Sequence, residues 1–451
     1  MPKPPGLATS LMHRLPFYYG WVILGCVCAA GFARQGPAVG TLSVFISPMG
    51  DELGWSRTAI SGAVSLGGIL AAVTSPMLGS LLDRHGARAM LVAAVIATGV
   101  AVLALSSVTT LLAFYVFYCI GRMCFAGPFD LGIYGAINTW FIARRPIATS
   151  IVTVFSMIGL TAMPLIATVA MIWGSGIANG SFVANTTPDW RIGWIAVGAT
   201  VLIVGLLPSL LLLIRRPEDV GLLPDGATPE QRKDDRAHDG VDAVYVAAER
   251  PPVSVEPDFS RAQALRTPAF WLLSFYTLLI YPVQAGTSLH QAPHLIERGF
   301  DPAIAATVVA TFSAVSAVAA LVYGAIARAT SVRITLISVA VCLGLSSFAM
   351  IEVDSLFQAY AASALFGIGI GGLLTILPIA WADYFGRRSY GAIRGVALSV
   401  QVAAQAAGPI LSGALRDLTG TYTVSLTVLG CLGVSAAGVA CFATPPKART
   451  A

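Results

Sequence analysis

Twelve apolar stretches, six on either side of one hydrophilic segment from Arg215 to Thr267, constrain this chain more than any other feature. They fall at about 18–47, 57–82, 89–107, 111–141, 147–173, 191–214, 268–289, 302–327, 334–351, 355–381, 395–415 and 421–443. At about 1.5 Å of rise per residue, such stretches are long enough to cross a hydrocarbon core about 30 Å thick. Of the 451 residues, 56% are hydrophobic and 11% charged, whereas soluble domains carry about 25% charged residues. A water-soluble globule is excluded, and the chain reads as an all-α protein with the lipid bilayer as its solvent.

The net charge of +5 does not by itself mean nucleic acid, because Lys and Arg also collect in cytoplasmic loops. With the amino terminus inside, 21 of the 27 basic residues fall on the cytoplasmic side, among them Arg84, Arg88, Arg144, Arg145, Arg328, Arg333, Arg387, Arg388 and Arg394. Only Arg57, Arg191, Arg298 and Arg416 fall opposite, which predicts cytoplasmic termini and no nucleic-acid partner. Arg34 and Arg122 remain, both inside spans. The first apolar run is too long for a cleavable signal peptide and has no small-residue cleavage site, so it reads as the first membrane helix. All seven cysteines lie in spans without metal-binding spacing and read as packing residues. Trp55, Trp140, Trp190 and Trp381 read as interfacial belt residues.

The Pro- and charge-rich segment 215–267 cannot bury enough apolar surface to fold, so it is expected to be a flexible cytoplasmic tether between residues 1–214 and 268–451. The two parts share a pattern. Trp140-Phe141 precedes Arg144-Arg145, and Tyr384-Phe385 precedes Arg387-Arg388, at equivalent loops of each part. Gly79, Asp83, Arg84, Gly86 and Arg88 in loop 2–3 have a weaker echo in Gly324, Arg328 and Arg333. A duplicated six-helix unit leaves such traces, and in proteins built this way ligand sites lie between the repeats near mid-membrane.

Gly79-x3-Asp83-Arg84-x-Gly86-x-Arg88 resembles the loop signature of the major facilitator superfamily. The resemblance implies that superfamily's fold, twelve transmembrane helices in two six-helix halves, with the loop acting in conformational switching. Gly79 would let two helices approach, and Asp83 would meet the positive end of a helix or an arginine across the halves. Tyr18-Tyr19-Gly20-Trp21, Gly54-Trp55-Ser56-Arg57, the Trp140–Ala148 patch, Arg216–Gly226 and Gly408-Pro409 resemble the bacterial monocarboxylate and oxalate/formate carrier branch. By that resemblance a coupling pair is expected in helix 8 and basic residues in helices 8 and 11. Here helix 8 offers Ser316 and Ala320, and helix 11 offers Gln401 and Gln405.

A charge at mid-bilayer costs about 2.5–3.5 kcal/mol, so it usually faces a partner or a wet cavity. Arg34 sits beside Pro37, which removes a helical hydrogen bond. It reads either as an anion-binding cation with forked donors or as a structural partner of an acid. Arg122 reads as a coupling or substrate residue, or as a structural hydrogen-bond donor. Asp130, in a helix that Pro128 is expected to kink, is either a proton carrier or a permanent partner of Arg34 or Arg122. Tyr134, Gln284 and Gln401 are further candidate substrate contacts. His290 is an external proton sensor or anion attractor, or an ordinary interfacial histidine. His290 and His294 lack an evident third metal ligand, and neither metal nor cofactor is expected.

These features, with the resemblance, lead to the expectation of a monomeric secondary transporter in a bacterial inner membrane, moving a small organic anion with protons. Oxalate/formate-type exchange, efflux of a hydrophobic compound and a membrane sensor are the alternatives. With no P-loop, metal triad or nucleophile constellation, an enzyme is not expected.

Overall fold

The computed structural model describes residues 6–178, 189–226 and 257–446, of which none is in a strand. The middle of the proposed tether, 227–256, lies outside the described residues, as do Lys3, Lys447 and Arg449. A short α1 (Gly6–Arg14) precedes α2 (Gly20–Ala33), α3 (Val39–Ser43), α4 (Ile46–Leu53), α5 (Arg57–Leu105), α6 (Leu111–Ala126), α7 (Pro128–Trp140), α8 (Arg145–Ala178) and α9 (Trp190–Leu211). After the hydrophilic segment come a turn of helix α10 (Arg261–Ala264), then α11 (Pro268–Glu297), α12 (Pro302–Ala329), α13 (Val332–Ile351), α14 (Leu356–Phe385), α15 (Tyr390–Thr419) and α16 (Thr423–Phe442).

Ten of these segments are long and apolar enough to cross a membrane, with α6 and α7 taken together. Ala59–Leu105, 47 residues, is one of the ten, yet at about 1.5 Å per residue it would be about 70 Å long, twice what one crossing needs. Gly86, at φ 82° and ψ 168°, breaks it into two passes. Counting that helix twice, and the broken α2–α4 segment once, brings the passes to the twelve expected. Side chains such as Val73, Met77, Ile203 and Val318 are mostly exposed, as lipid-facing residues of a bundle are.

Two passes are broken where the residues require it. Pro37 ends the first helix, and an extended Ala38 (φ −66°, ψ 155°) leads into α3. The carbonyls this frees are satisfied locally, Gln35 O by Thr41 Oγ1 at 2.8 Å and Pro37 O by Tyr118 OH at 3.2 Å. The fourth pass breaks at Gly127 (φ −108°, ψ −87°), with Pro128 at the first position of α7, where its missing N–H costs nothing.

The halves meet along α5 with α15 and along α8 with α12. Glycine makes the first contact possible: a Cβ on Gly79 would lie 2.0 Å from Gly391 O, and one on Gly391 would lie 2.3 Å from Gly79 O. Overpacking costs about 1–3 kcal/mol, which is a factor of about 10 to 100 in the population of the packed state. We therefore expect Gly391→Val to open this face. Ser150, buried against Gly324 at the other contact between the halves, gives the readout. A cysteine placed there should label about 10- to 100-fold faster when combined with Gly391→Val, and an unchanged rate would rule out steric closure at Gly391.

Two expectations are corrected. Trp140, Trp190 and Trp381 are no interfacial belt: each is 1% exposed or less, packed inside the bundle, because their rings fill gaps between helices. Trp140 Nε1 donates to Ile214 O and Trp190 Nε1 to Glu52, so even the polar edge is used internally. The described ends of the hydrophilic segment are also ordered against the bundle. Asp225, in left-handed backbone (φ 58°), accepts from the amides of Ile142, Ala143 and Arg144, at 2.9, 2.8 and 3.2 Å. Glu218 pairs with Arg387 and Asp258 with Arg388.

Candidate functional site

The breaks in the first and fourth passes put charge at mid-membrane. Arg34 is the residue at which α2 ends. Asp130 lies in the first turn of α7, where the positive end of the helix dipole favours its carboxylate. The two meet, Arg34 Nη2 to Asp130 Oδ2, at 3.5 Å. Arg122, on the preceding α6, does not reach Asp130. Its guanidinium carbon and that of Arg34 each lie 4.5 Å from the Phe125 ring centroid, so one aromatic ring serves two cations. Among the described residues no acid pairs with Arg122, and its Nε has no hydrogen-bond partner.

The second half supplies a residue that the sequence reading misplaces. Arg394, assigned above to a cytoplasmic segment, is 1% exposed and lies inside α15. Its Nη2 donates to Asp130 Oδ1 at 3.2 Å and to Gln401 Oε1 at 2.6 Å. The helix starts at Tyr390, about one turn earlier than expected, because Gly391 and Gly395 seat its first turns against α5 and shield them. A signal is present in the sequence: Tyr390, Ile393, Ala397 and Leu398 keep an apolar helical spacing straight through Arg394.

Two guanidiniums, of Arg34 and Arg394, therefore share one carboxylate at the interface between the halves, with the third, of Arg122, beside them across the Phe125 ring. Of the expected site residues, Arg34, Asp130 and Gln401 are joined directly or through Arg394, and Arg122 joins them through Phe125. Tyr134 is one turn beyond Asp130, and its hydroxyl donates to Leu374 O across the interface at 3.4 Å. Gln284 and His290 are bonded to other partners. Gln284 accepts from Gln405 at 3.2 Å. His290 bonds Tyr422 OH at 3.1 Å and Pro409 O at 3.2 Å, and Pro409 is about 22 Å along α15 from Arg394.

The loop 2–3 residues work between and within halves. Asp83 accepts from the amides of Gly391 and Ala392, both at 2.8 Å, at the positive end of α15. Arg84 contributes its carbonyl to Arg215 Nη2 at 2.8 Å, Arg88 donates to Leu210 O at 3.0 Å, and Gly86 packs on the Arg215 side chain. The Arg145–Asp383 ion pair, Arg387 Nη1 to Thr139 O at 3.2 Å and the Ser399 hydroxyl on Ala72 O also cross between halves. All of these lie between mid-membrane and the side that carries the 215–267 segment, so the bundle is closed on that side.

A sequence profile of the Major Facilitator Superfamily matches residues 23–296. No curated protein matches the chain. Among solved structures, the E. coli fucose:proton symporter FucP superposes with a TM-score of 0.66 at 11% identity, covering 95% of this chain and 100% of that one. A structure of FucP in the outward conformation gives 0.65 at 10% identity with the same coverage. The proton:xylose symporter XylE, bound to 6-bromo-6-deoxy-D-glucose, gives 0.68 at 14% identity, covering 96% and 97%. At these identities the likeness speaks for the fold, twelve passes in two halves.

Proposed function

Because the chain belongs to the major facilitator superfamily, we propose that this secondary transporter carries a small organic anion, monocarboxylate-like, together with protons, by rocking its two halves about the arginine cluster. One observation carries the anion: Arg34 and Arg394 pair with a single acid, Asp130, and Arg122 shares the Phe125 ring with Arg34 without an acid of its own, leaving an excess of two positive charges at mid-membrane. A surplus of buried cation is costly in lipid, and a carboxylate arriving from water offsets it with charge-assisted, forked hydrogen bonds. The fucose and xylose symporters that share the fold move protons with their sugars.

Asp130 is the proton carrier of this reading. The incoming carboxylate competes with it for Arg34, and a neutral Asp130 gives up the guanidinium more easily than a charged one. Asp83 on the start of α15 is the latch that holds the observed closure, and Gly79 with Gly391 gives the close seat it needs. The side bearing the 215–267 segment is taken as cytoplasmic, so the closed bundle opens outward, in a bacterial inner membrane.

Uptake by proteoliposomes tests this. Labelled monocarboxylates are expected to accumulate when the lumen is made alkaline relative to the outside, and the accumulation should collapse with a protonophore. Absence of uptake across a broad panel of organic acids, with protein correctly inserted, would sink the anion reading.

A further inference from the structure

The matched loops of the two halves carry four arginines, and three of them meet an acid: Arg145 pairs with Asp383, Arg387 with Glu218 and Arg388 with Asp258. Arg144 is exposed and its side chain makes no ion pair among the described residues. Asp225, which orders this loop, bonds with its carboxylate to the backbone amides of Ile142, Ala143 and Arg144. The Arg144 guanidinium carbon lies instead 5.9 Å from the centroid of the Trp21 ring. That ring is held against Phe141, with centroids 5.5 Å apart.

Trp21 is also one end of an apolar groove of about 470 Å³. Trp21, Gly25, Ala29 and Phe32 line it from α2, Phe155 from α8 and Val204 from α9. Phe155 is 43% exposed and a Cβ on Gly25 would meet nothing within 4 Å, so the groove opens away from the bundle, towards lipid. From Trp21 to Phe32 is about 17 Å along α2, close to the depth of one leaflet in a hydrocarbon core about 30 Å thick. An apolar slot one leaflet deep, with an unpaired cation at its interfacial end, is the complement of an acyl chain below an anion. We propose that this groove binds an anionic phospholipid of the phosphatidylglycerol class, taken from the leaflet on the side of the 215–267 segment. One acyl chain lies along α2 and the phosphate meets the Arg144 guanidinium, a charge-assisted contact. A basic residue near the membrane surface favours anionic lipid about fivefold. All three helices of the groove belong to the first half, so the lipid travels with that half as it rocks. The site is independent of what the protein transports.

A ligand that binds the folded state raises its melting temperature by mass action, so purified full-length protein is melted in detergent micelles at rising mole fractions of lipid. Dioleoyl phosphatidylglycerol is compared with dioleoyl phosphatidylcholine, which has the same chains and no net charge. The native protein should show a saturable rise at a lower fraction of phosphatidylglycerol than of phosphatidylcholine. Arg144→Gln should raise the half-saturating fraction of phosphatidylglycerol about fivefold and erase the preference. The variant keeps the backbone amide that Asp225 holds. Arg328→Gln removes another exposed cation, at the end of α12, and should leave the preference intact. Gly25→Phe fills the groove in open space and should weaken the response to both lipids while Arg144 remains. Equal responses to the two lipids in the native protein, or an equal loss in Arg328→Gln and Arg144→Gln, would overturn headgroup recognition at Arg144. A native response in Gly25→Phe would overturn the groove as the place of the chain.

Discussion

Arg34→Gln is expected to lower the uptake efficiency for an organic anion about 100-fold while the protein still folds and inserts. Truncating one partner of a buried, hydrogen-bonded charge pair costs about 2–5 kcal/mol, and each 1.4 kcal/mol is about tenfold. Folding should survive because Asp130 keeps its second cation, Arg394, at 3.2 Å. The loss should appear mainly as a higher KM, since in the proposed cycle the guanidinium binds the anion before any movement. Arg34→Lys, which keeps the charge but loses the forked donors, should fall between the two. The measurement is initial uptake rate against substrate concentration, normalised to the amount of inserted protein. Native kinetics in Arg34→Gln would remove Arg34 from the site.

Asp130→Asn is expected to have the opposite signature. Without its carboxylate the cluster holds three cations and no acid, and breaking a buried ion pair this way costs about 3–5 kcal/mol. The variant should melt at a lower temperature than the native protein, and a transported anion should restore more of that loss than it adds to the native protein, because the anion takes the place of the missing charge. Exchange of labelled for unlabelled substrate should continue, since it needs no net proton movement. Accumulation against a gradient should be lost. An Asp130→Asn protein that still concentrates substrate under an imposed pH gradient would show that the proton travels by another group.

These variants separate two roles that lie within a few ångströms of each other. In the proposed cycle Arg34 belongs to binding and Asp130 to coupling, and the ion pair between them at 3.5 Å would link the two. The latch at Asp83 lies apart, where loop 2–3 meets the start of α15.

The legibility of the site follows the physics of each residue. Arg34, Arg122 and Asp130 stand out because a charge inside an apolar run is expensive and rarely accidental. The breaks stand out too, since Pro37 and Pro128 cannot continue a helix undisturbed. Arg394 escapes notice because a basic residue near the end of an apolar run looks like a cytoplasmic anchor, which is the commoner use of arginine there. Only its packing reveals the difference: Gly391 and Gly395 bring α15 against α5, and that contact draws the first turn of the helix, with its arginine, out of water. The tryptophans mislead for a related reason, since an indole suits an interface and an interhelical gap equally well.

What the amino-acid order determined alone is the solvent, the number of crossings, the division into two halves and the presence of charge where lipid does not tolerate it. Those are properties of single segments, set by length, hydropathy and local backbone rules, and they need no knowledge of neighbours. Which cation meets which acid was decided by the tertiary structure, because Asp130 and Arg394 are 264 residues apart and meet only when two separately built halves close on each other. An ion pair between halves depends on the distance and orientation of whole helices, and no local pattern encodes either.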